Sequence, residues 1–248
     1  MEGWDATVAW ALNPEVVTWR LVAQQGEIRY LKVARLGQEV GLLAERDRMA
    51  WAASRLPVPQ LLAYGSESGY EWLLTGGLPG VTAIDAAWLA APARLVPLLA
   101  EGLRRVHALP IHDCPFDCRV ATVVQEAWDR MQRSHTDSTN AFQTDVDVSR
   151  LASSLSHIER LRPEHEDLVV CHGDYCLPNV LISENRVAGY IDLGALGVAD
   201  RWADLTTATW SVTYNLGPGW EDIFLARYGV ARDDRKMDFY RLLSDLLP

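Results

Sequence analysis

The sequence predicts an α+β chain of two unequal lobes, a small β-rich N-terminal lobe over residues 1–76 and a larger, mainly helical lobe over residues 77–248. Three observations lead there. Short apolar runs alternate with turns in the first part, a Gly/Pro cluster follows at Gly76-Gly77-Leu78-Pro79-Gly80, and beyond Ala83 apolar residues recur at helical spacing. A chain of 248 residues can bury a large core as one domain or as two lobes.

In the first part, Val16–Val22 and Ile28–Val33 read as strands flanking the turn Gln25-Gly26-Glu27. Lys32 then sits in a strand between apolar neighbours. A lone lysine there ordinarily marks an edge strand with its ammonium in water. Here a helical segment from about Gln38 to Leu56 carries Glu45 as a possible partner, with Glu39 on the same helix as its competitor. Leu61–Gly65 leads to a turn, and Trp72–Thr75 is a strand running into the Gly/Pro cluster, whose composition suits a linker between lobes.

In the second part, Pro97–Leu109 sets Leu98, Leu99, Leu103, Val106 and Leu109 at helical spacing, and Val120–Arg133 shows a weaker stripe. These are core positions without chemistry. The polar run Ser134–Asp147 lacks periodicity and reads as a loop over the cleft or an excursion. Helices are expected from Val148 to Arg162 and from Ala203 to the end, interrupted at Gly217-Pro218-Gly219. There is no internal repeat or low-complexity segment.

Between these helices lies the most informative stretch, His172-Gly173-Asp174-Tyr175-Cys176-Leu177-Pro178-Asn179, followed by Ile191-Asp192-Leu193-Gly194. Leu168–Val170 is a buried strand that would place Asp174 in the loop beyond it, and Pro178 restricts the backbone before Asn179. Val180–Ile182 and Val187–Ile191 form a hairpin around Glu184-Asn185, which returns Asp192 to Asn179. A single Asp or Asn in a loop is most often a turn residue or a helix cap. Three in this order, each beside an apolar strand, match metal-assisted phosphoryl transfer. One carboxylate orients a hydroxyl, while an amide and a second carboxylate hold Mg²⁺ on the phosphates of ATP or GTP. The fold expected is therefore protein-kinase-like and bilobal, with residues 1–76 as the nucleotide-binding lobe and 77–248 as the catalytic and substrate-binding lobe. Lys32 and Glu45 fit the strand lysine and helix glutamate of such folds. His172 reads as a brace of the loop.

HGDxCLPN followed by IDLGxxGVADRxxDL resembles the aminoglycoside phosphotransferases, above all those acting on the 3'-hydroxyl of kanamycin-like antibiotics. Leu56-Pro57-Val58-Pro59, Cys114-Pro115-Phe116-Asp117 and Phe239-Tyr240-Arg241-Leu242-Leu243 are similar to the same family, so the likeness runs from about Leu31 almost to the end. The resemblance implies Asp174 as catalytic base and Asn179 and Asp192 as magnesium ligands. It also implies that the Gly76 carbonyl and Leu78 amide bond adenine while Tyr30 stacks on its face.

Several features depart from that family. Trp10–Val17 holds no glycine where a phosphate-covering loop is expected. Leu177 stands where some relatives carry an acid, Ala195 where an arginine is usual, and Tyr214 and Asn215 where an acidic pair is usual. Thr139–Gln143 replaces an acid-rich insertion, although Asp145 and Asp147 are close by. Asp245 survives as a substrate-binding acid, and the terminal carboxylate of Pro248 is displaced by one residue. The substrate side thus reads as less acidic and more aromatic, with Tyr214, Asn215 and Asp245 as substrate contacts and Trp202, Trp210 and Trp220 nearby. Tryptophans at helical spacing more often face the core. A macrolide, an amino sugar or another hydroxylated metabolite is the alternative acceptor, and a catalytically silent nucleotide-binding module is the third reading.

Composition agrees. The formal charge of −10 disfavours nucleic acid and anionic membranes and suits a cationic small molecule. No apolar run reaches the roughly 18 residues of a membrane span, and Met1-Glu2-Gly3-Trp4-Asp5 is no secretory signal, so a cytoplasmic protein is expected. The spacings Cys114/Cys118 and Cys171/Cys176 are not those of a zinc knuckle, and all four cysteines are expected to be buried reduced thiols. A monomer is the default.

Overall fold

The computed structural model describes residues 3–13, 16–36, 41–136 and 156–244. Five antiparallel strands open the chain: β1 (Trp4–Asn13), β2 (Val16–Ala23), β3 (Ile28–Arg35), β4 (Leu61–Glu67) and β5 (Tyr70–Gly76). They form one sheet in the order β1-β2-β3-β5-β4. The sequence reading omits β1, because residues 5–11 are all exposed on an edge strand and bury no alternating face.

Helix α1 (Leu42–Ala52) follows β3 and lies against β4 and β5. It is shorter than the expected Gln38–Leu56, and Glu39 lies outside the described residues. Gly41 has no side chain to cap the helix. The Glu71 carboxylate of β5 does so instead, accepting from the amides of Leu42 (2.9 Å) and Leu43 (3.2 Å).

Beyond Gly76 come β6 (Val81–Thr82), α2 (Ala86–Leu89), α3 (Pro92–His107) and α4 (Val120–Thr136). Helix α3 begins at Pro92, five residues earlier than expected, and Pro97 lies inside it. Pro92 occupies the first turn, where a missing N–H costs nothing. Helix α4 takes in Ser134–Thr136 of the expected loop; the rest of that loop lies outside the described residues, as do Val148–Leu155 of the next expected helix. Residues 156–161 are helical (α5).

The motif segment is folded into two small sheets. Strand β7 (Leu168–Cys171) pairs with β10 (Gly197–Asp200), while β6, β8 (Val180–Ser183) and β9 (Arg186–Tyr190) form a three-stranded sheet in the order β6-β8-β9. The hairpin turn falls at Glu184-Asn185 as read, with φ of 51° and 61°. The C-terminal part is α6 (Arg201–Leu216), α7 (Trp220–Tyr228) and α8 (Asp234–Ser244). It contains a second break after Gly229 that the sequence reading does not separate, since the left-handed Gly229 ends α7.

One large core joins these parts, with Leu95, Leu99 and Leu103 of α3, Leu205 and Val212 of α6, Phe224 and Phe239 all enclosed. The chain is thus an α+β protein of the protein-kinase-like bilobal kind, with a β-rich first lobe and a larger helical second one. Among the described residues no helix is long and apolar enough to cross a membrane. All four cysteines are free, yet only Cys171 is fully buried; Cys114, Cys118 and Cys176 are half-buried, in loops that keep one side to solvent.

Candidate active site

Strand β7 delivers His172-Gly173-Asp174 to the end of a sheet, and α6 holds this turn from beneath. The buried Asp204 carboxylate accepts the amides of His172 (2.7 Å) and Gly173 (2.8 Å) and is 3.0 Å from Nε2 of His107. Burial alone would raise the pKa of Asp204, but the His107 bond and the backbone amides outweigh it and hold it below the ordinary value. Nδ1 of His107 is in turn 2.7 Å from the Tyr228 hydroxyl. Gly173 has a φ of 89°, and a Cβ there would meet the Ala195 carbonyl at 2.2 Å, so only glycine lets the loop pass Ala195 so closely.

His172 is fully buried, and its Nδ1 accepts the Asp174 amide at 3.3 Å, the bracing role read from sequence. Its Nε2 meets no partner among the described residues. Past Asp174, a single 3₁₀ turn over Leu177–Asn179 brings the Asn179 amide back. Nδ2 of Asn179 donates to the Asp174 carboxylate (2.7 Å) and to its carbonyl (3.1 Å). The Leu177 amide donates to Oγ of Ser211 on α6 at 2.9 Å. The Ile191 amide donates to the Asn179 carbonyl at 3.0 Å, which fixes Asp192 beside Asn179.

Asp192 itself has a φ of 60°, a conformation that Asp tolerates better than most residues. Its carboxylate is 3.0 Å from Nζ of Lys32, which is 2.8 Å from Glu45. Burial would lower the pKa of Lys32, but the two carboxylates outweigh it and raise it, so the ammonium stays charged. Burial raises the pKa of Glu45 against the opposing pull of Lys32. For Asp174, burial again dominates; with help from Asp192 it raises the carboxyl above the ordinary value despite His172 and Asn179. The Cys176 thiol is pushed far up by burial and by Asp174, and is therefore no nucleophile.

Glu45, Lys32, Asp192, Asn179 and Asp174 thus form one continuous set, gathered from α1, β3, the β9–β10 connection and the catalytic loop. The donor set also fits a hard cation. Nδ2 of Asn179 is committed to Asp174, while Oδ1 meets no donor among the described residues, and Asp192 has one oxygen beyond the one facing Lys32. Tyr30 shares the cleft face of β3 with Lys32, two residues on. At the linker, the Gly76 and Gly77 amides bond the carbonyls of Gln60 and Ile28, whereas the Leu78 amide has no acceptor among the described residues.

The expected substrate side is less complete. Asp245 lies outside the described residues. Tyr214 is 76% exposed and stacks on Trp210, itself 51% exposed, at 5.5 Å between ring centroids. Asn215 turns its Nδ2 back to the Ser211 carbonyl at 2.7 Å. Trp202 must be removed from the pocket: it is 6% exposed in the core, and Trp220 packs against that core. Asp204 is the only acid on α6, and it is buried.

Sequence reasoning missed the supports of the site: Asp204, His107, Ser211 and Arg48. Asp204 stood in the motif GVADRxxDL but had no evident task until its backbone donors were placed. Nε of Arg48 donates to the Leu196 carbonyl at 2.8 Å, and its guanidinium lies 5.0 Å over the Phe116 ring, which ties α1 to the segment after Asp192.

A β-sheet lobe carrying a lysine held by a helix glutamate, set over a loop with an acid, an amide and a second acid, defines a kinase-like phosphotransferase. The phosphotransferase enzyme family (APH) matches residues 15–240, and the chain belongs to it. The chain is 37% identical over 236 residues to an aminoglycoside 3'-phosphotransferase of Streptomyces fradiae, covering 87% of this chain and 84% of that one. The crystal structure of an aminoglycoside-3'-phosphotransferase of type VIII superposes with a TM-score of 0.82 at 33% identity, over 99% of this chain and 94% of that one. The aminoglycoside phosphotransferase APH(3'')-Id of Streptomyces rimosus, solved with ADP and streptomycin, superposes with a TM-score of 0.69 at 29% identity, over 99% and 92%.

Proposed function

We propose that this protein transfers the γ-phosphate of ATP or GTP to a hydroxyl of an aminoglycoside, with the 3'-hydroxyl as acceptor. The observation that carries the reading is the Asp174 carboxylate, raised in proton affinity and clamped by Asn179, facing the Lys32–Asp192 pair. Asp174 is the base. It orients the acceptor hydroxyl and takes its proton as the hydroxyl oxygen bonds to the γ-phosphorus and the bond to the β–γ bridging oxygen breaks. Lys32, held by Glu45, positions the phosphates. Asn179 and Asp192 would hold Mg²⁺, which when bound neutralises charge on the phosphate oxygens. Rate comes from orientation and fixed charge.

Residues 1–76 serve as the nucleotide lobe and 77–248 as the catalytic and substrate lobe. Tyr30 stacks on the base, the Gly76 carbonyl and Leu78 amide bond its edge, and the free Leu78 amide supports this. Tyr214, Asn215 and Asp245 line the acceptor side, in a cytoplasmic enzyme. The 3'-hydroxyl is preferred because the Streptomyces fradiae relative, named for that position, is more similar to this chain than the 3''-enzyme of Streptomyces rimosus.

A second reading has one specific observation in its favour. The exposed face of α6 presents the Trp210–Tyr214 stack and no acid, which suits an acceptor with fewer ammonium groups, such as a macrolide or an amino sugar. The deciding experiment measures nucleotide consumption with Mg²⁺ across ATP, GTP and an aminoglycoside panel, with Asp174→Ala as control. Drug-dependent turnover that vanishes in the variant, with phosphate mapped to the 3'-position by NMR, supports the proposal. Nucleotide binding without turnover on any aminoglycoside moves the assignment to the second reading.

A further inference from the structure

Asp192 opens a tight turn with a backbone that few aspartates adopt. Its φ is 60°, and such a conformation persists only where the surroundings over-determine it. On one side the Ile191 amide is fixed on the Asn179 carbonyl at 3.0 Å. On the other the chain doubles back, the Leu196 amide donating to the Leu193 carbonyl at 3.1 Å, with both leucines fully buried. The Ala195 carbonyl is pressed against Gly173 of the catalytic loop, where a Cβ would overlap it. The Leu196 carbonyl, at the far end of the turn, is held from α1: Nε of Arg48 donates to it at 2.8 Å.

Arg48 is fixed before it meets this carbonyl. Its Nη1 returns to the Ala44 carbonyl at 3.4 Å, and its guanidinium lies 5.0 Å over the Phe116 ring. It stands three residues after Glu45 and so shares that face of α1. Glu45 reaches Asp192 through Lys32, by contacts of 2.8 and 3.0 Å, while Arg48 takes the turn four residues further on. Between the two, α1 lies on Gly194, whose Cβ position is 3.9 Å from Cβ of Glu45. One face of α1 thus clamps both ends of the 192–196 turn.

Resting on the metal role given above to Asn179 and Asp192, we propose that Arg48 is a positioning residue for Asp192. By holding the Leu196 carbonyl it keeps the Asp192 backbone left-handed, and thereby sets the affinity of the Asn179–Asp192 pair for Mg²⁺. Groups that orient a ligand from behind govern metal affinity in this way. Docking of α1 does not depend on Arg48. Glu71 caps the start of the helix, and further along Nε1 of Trp51 donates to the Asp113 carbonyl at 2.8 Å while its ring meets Phe116 edge-on. Loss of the Arg48 guanidinium therefore leaves α1 in place and frees the turn.

The test is calorimetric titration of a non-hydrolysable ATP analogue, without and with increasing Mg²⁺, into the wild-type chain, Arg48→Met and Trp51→Phe, each checked by thermal melting. All three are expected to bind the metal-free analogue alike. The Mg²⁺ concentration that gives half of the metal-dependent tightening is expected to rise about 10–100-fold, in Arg48→Met alone. Arg48→Lys, with a donor but no planar fork, is expected to fall between the two, and it decides should Arg48→Met fail to fold. Wild-type Mg²⁺ dependence in Arg48→Met overturns the proposal. So does an equal loss in Trp51→Phe, which would make the docking of α1 the cause. A wild-type chain whose analogue binding ignores Mg²⁺ overturns the metal role of Asn179 and Asp192, and the role of Arg48 with it.

Discussion

Asp174 couples its chemistry to a cost in the fold. Its carboxyl is raised above the ordinary value, so the folded chain holds that proton more tightly than the unfolded one, and ionised Asp174 lowers stability at neutral pH. Asp174→Asn is therefore expected to lower kcat by about 10²–10⁴-fold with nucleotide affinity unchanged, and to melt no lower than the wild-type chain. Calorimetry and nucleotide titration check both halves. The same shift predicts that the acidic limb of the pH–kcat profile lies above the ordinary aspartate value of 3.8, because the base works only when ionised. A limb at or below that value would remove Asp174 from the role. Lys32→Met strips the buried Glu45 of its counter-ion and is expected to cost about 3–5 kcal/mol of stability as well as nucleotide affinity; denaturant titration and nucleotide binding read each effect.

At the scale of elements, α6 positions the catalytic loop through two side chains, Asp204 and Ser211, seven residues apart on one face. Ser211→Ala leaves the Leu177 amide without its acceptor, at a cost of about 1–3 kcal/mol. Because that amide begins the turn leading to Asn179, kcat should fall while nucleotide Kd stays constant, measured by steady-state rates beside equilibrium binding. The loop, the hairpin and the returning acid were readable in order from residues 168–192, since short buried strands and a two-residue turn are encoded locally. The face of α6 was not. Its Asp204 looked like any helix-start acid, and its Trp202 and Trp210 look alike in sequence although one is core and the other exposed.

For the whole molecule, Asp204 links the loop to α3 and α7 through His107 and Tyr228, and its depressed carboxyl sets a pH window. A carboxyl lowered in the folded state stabilises fully above its unfolded value, near 3.8, and loses that contribution as pH falls below it through the folded value. The melting temperatures of wild type and Asp204→Asn should therefore be well separated at neutral pH and converge below about pH 4; parallel curves would refute the assignment. The two-lobed architecture was legible because strand-like runs dominate before the Gly/Pro cluster and long helical spacing dominates after it, interrupted by the short strands of the motif segment.

By itself the sequence determined the kind of fold and the order of the candidate site residues, because strand and helix periodicity and loop spacing are local properties of the chain, and its motifs carried the resemblance to the family. Only the tertiary structure decided which supports hold those groups, and why the carboxyls of Asp174 and Asp204, both raised by burial, end on opposite sides of the ordinary value, the His107 bond and backbone amides winning at Asp204. Each of these depends on neighbours brought from far along the chain: Lys32 and Asp192 are 160 residues apart and meet at 3.0 Å. Desolvation and charge act through space, and no local pattern records them.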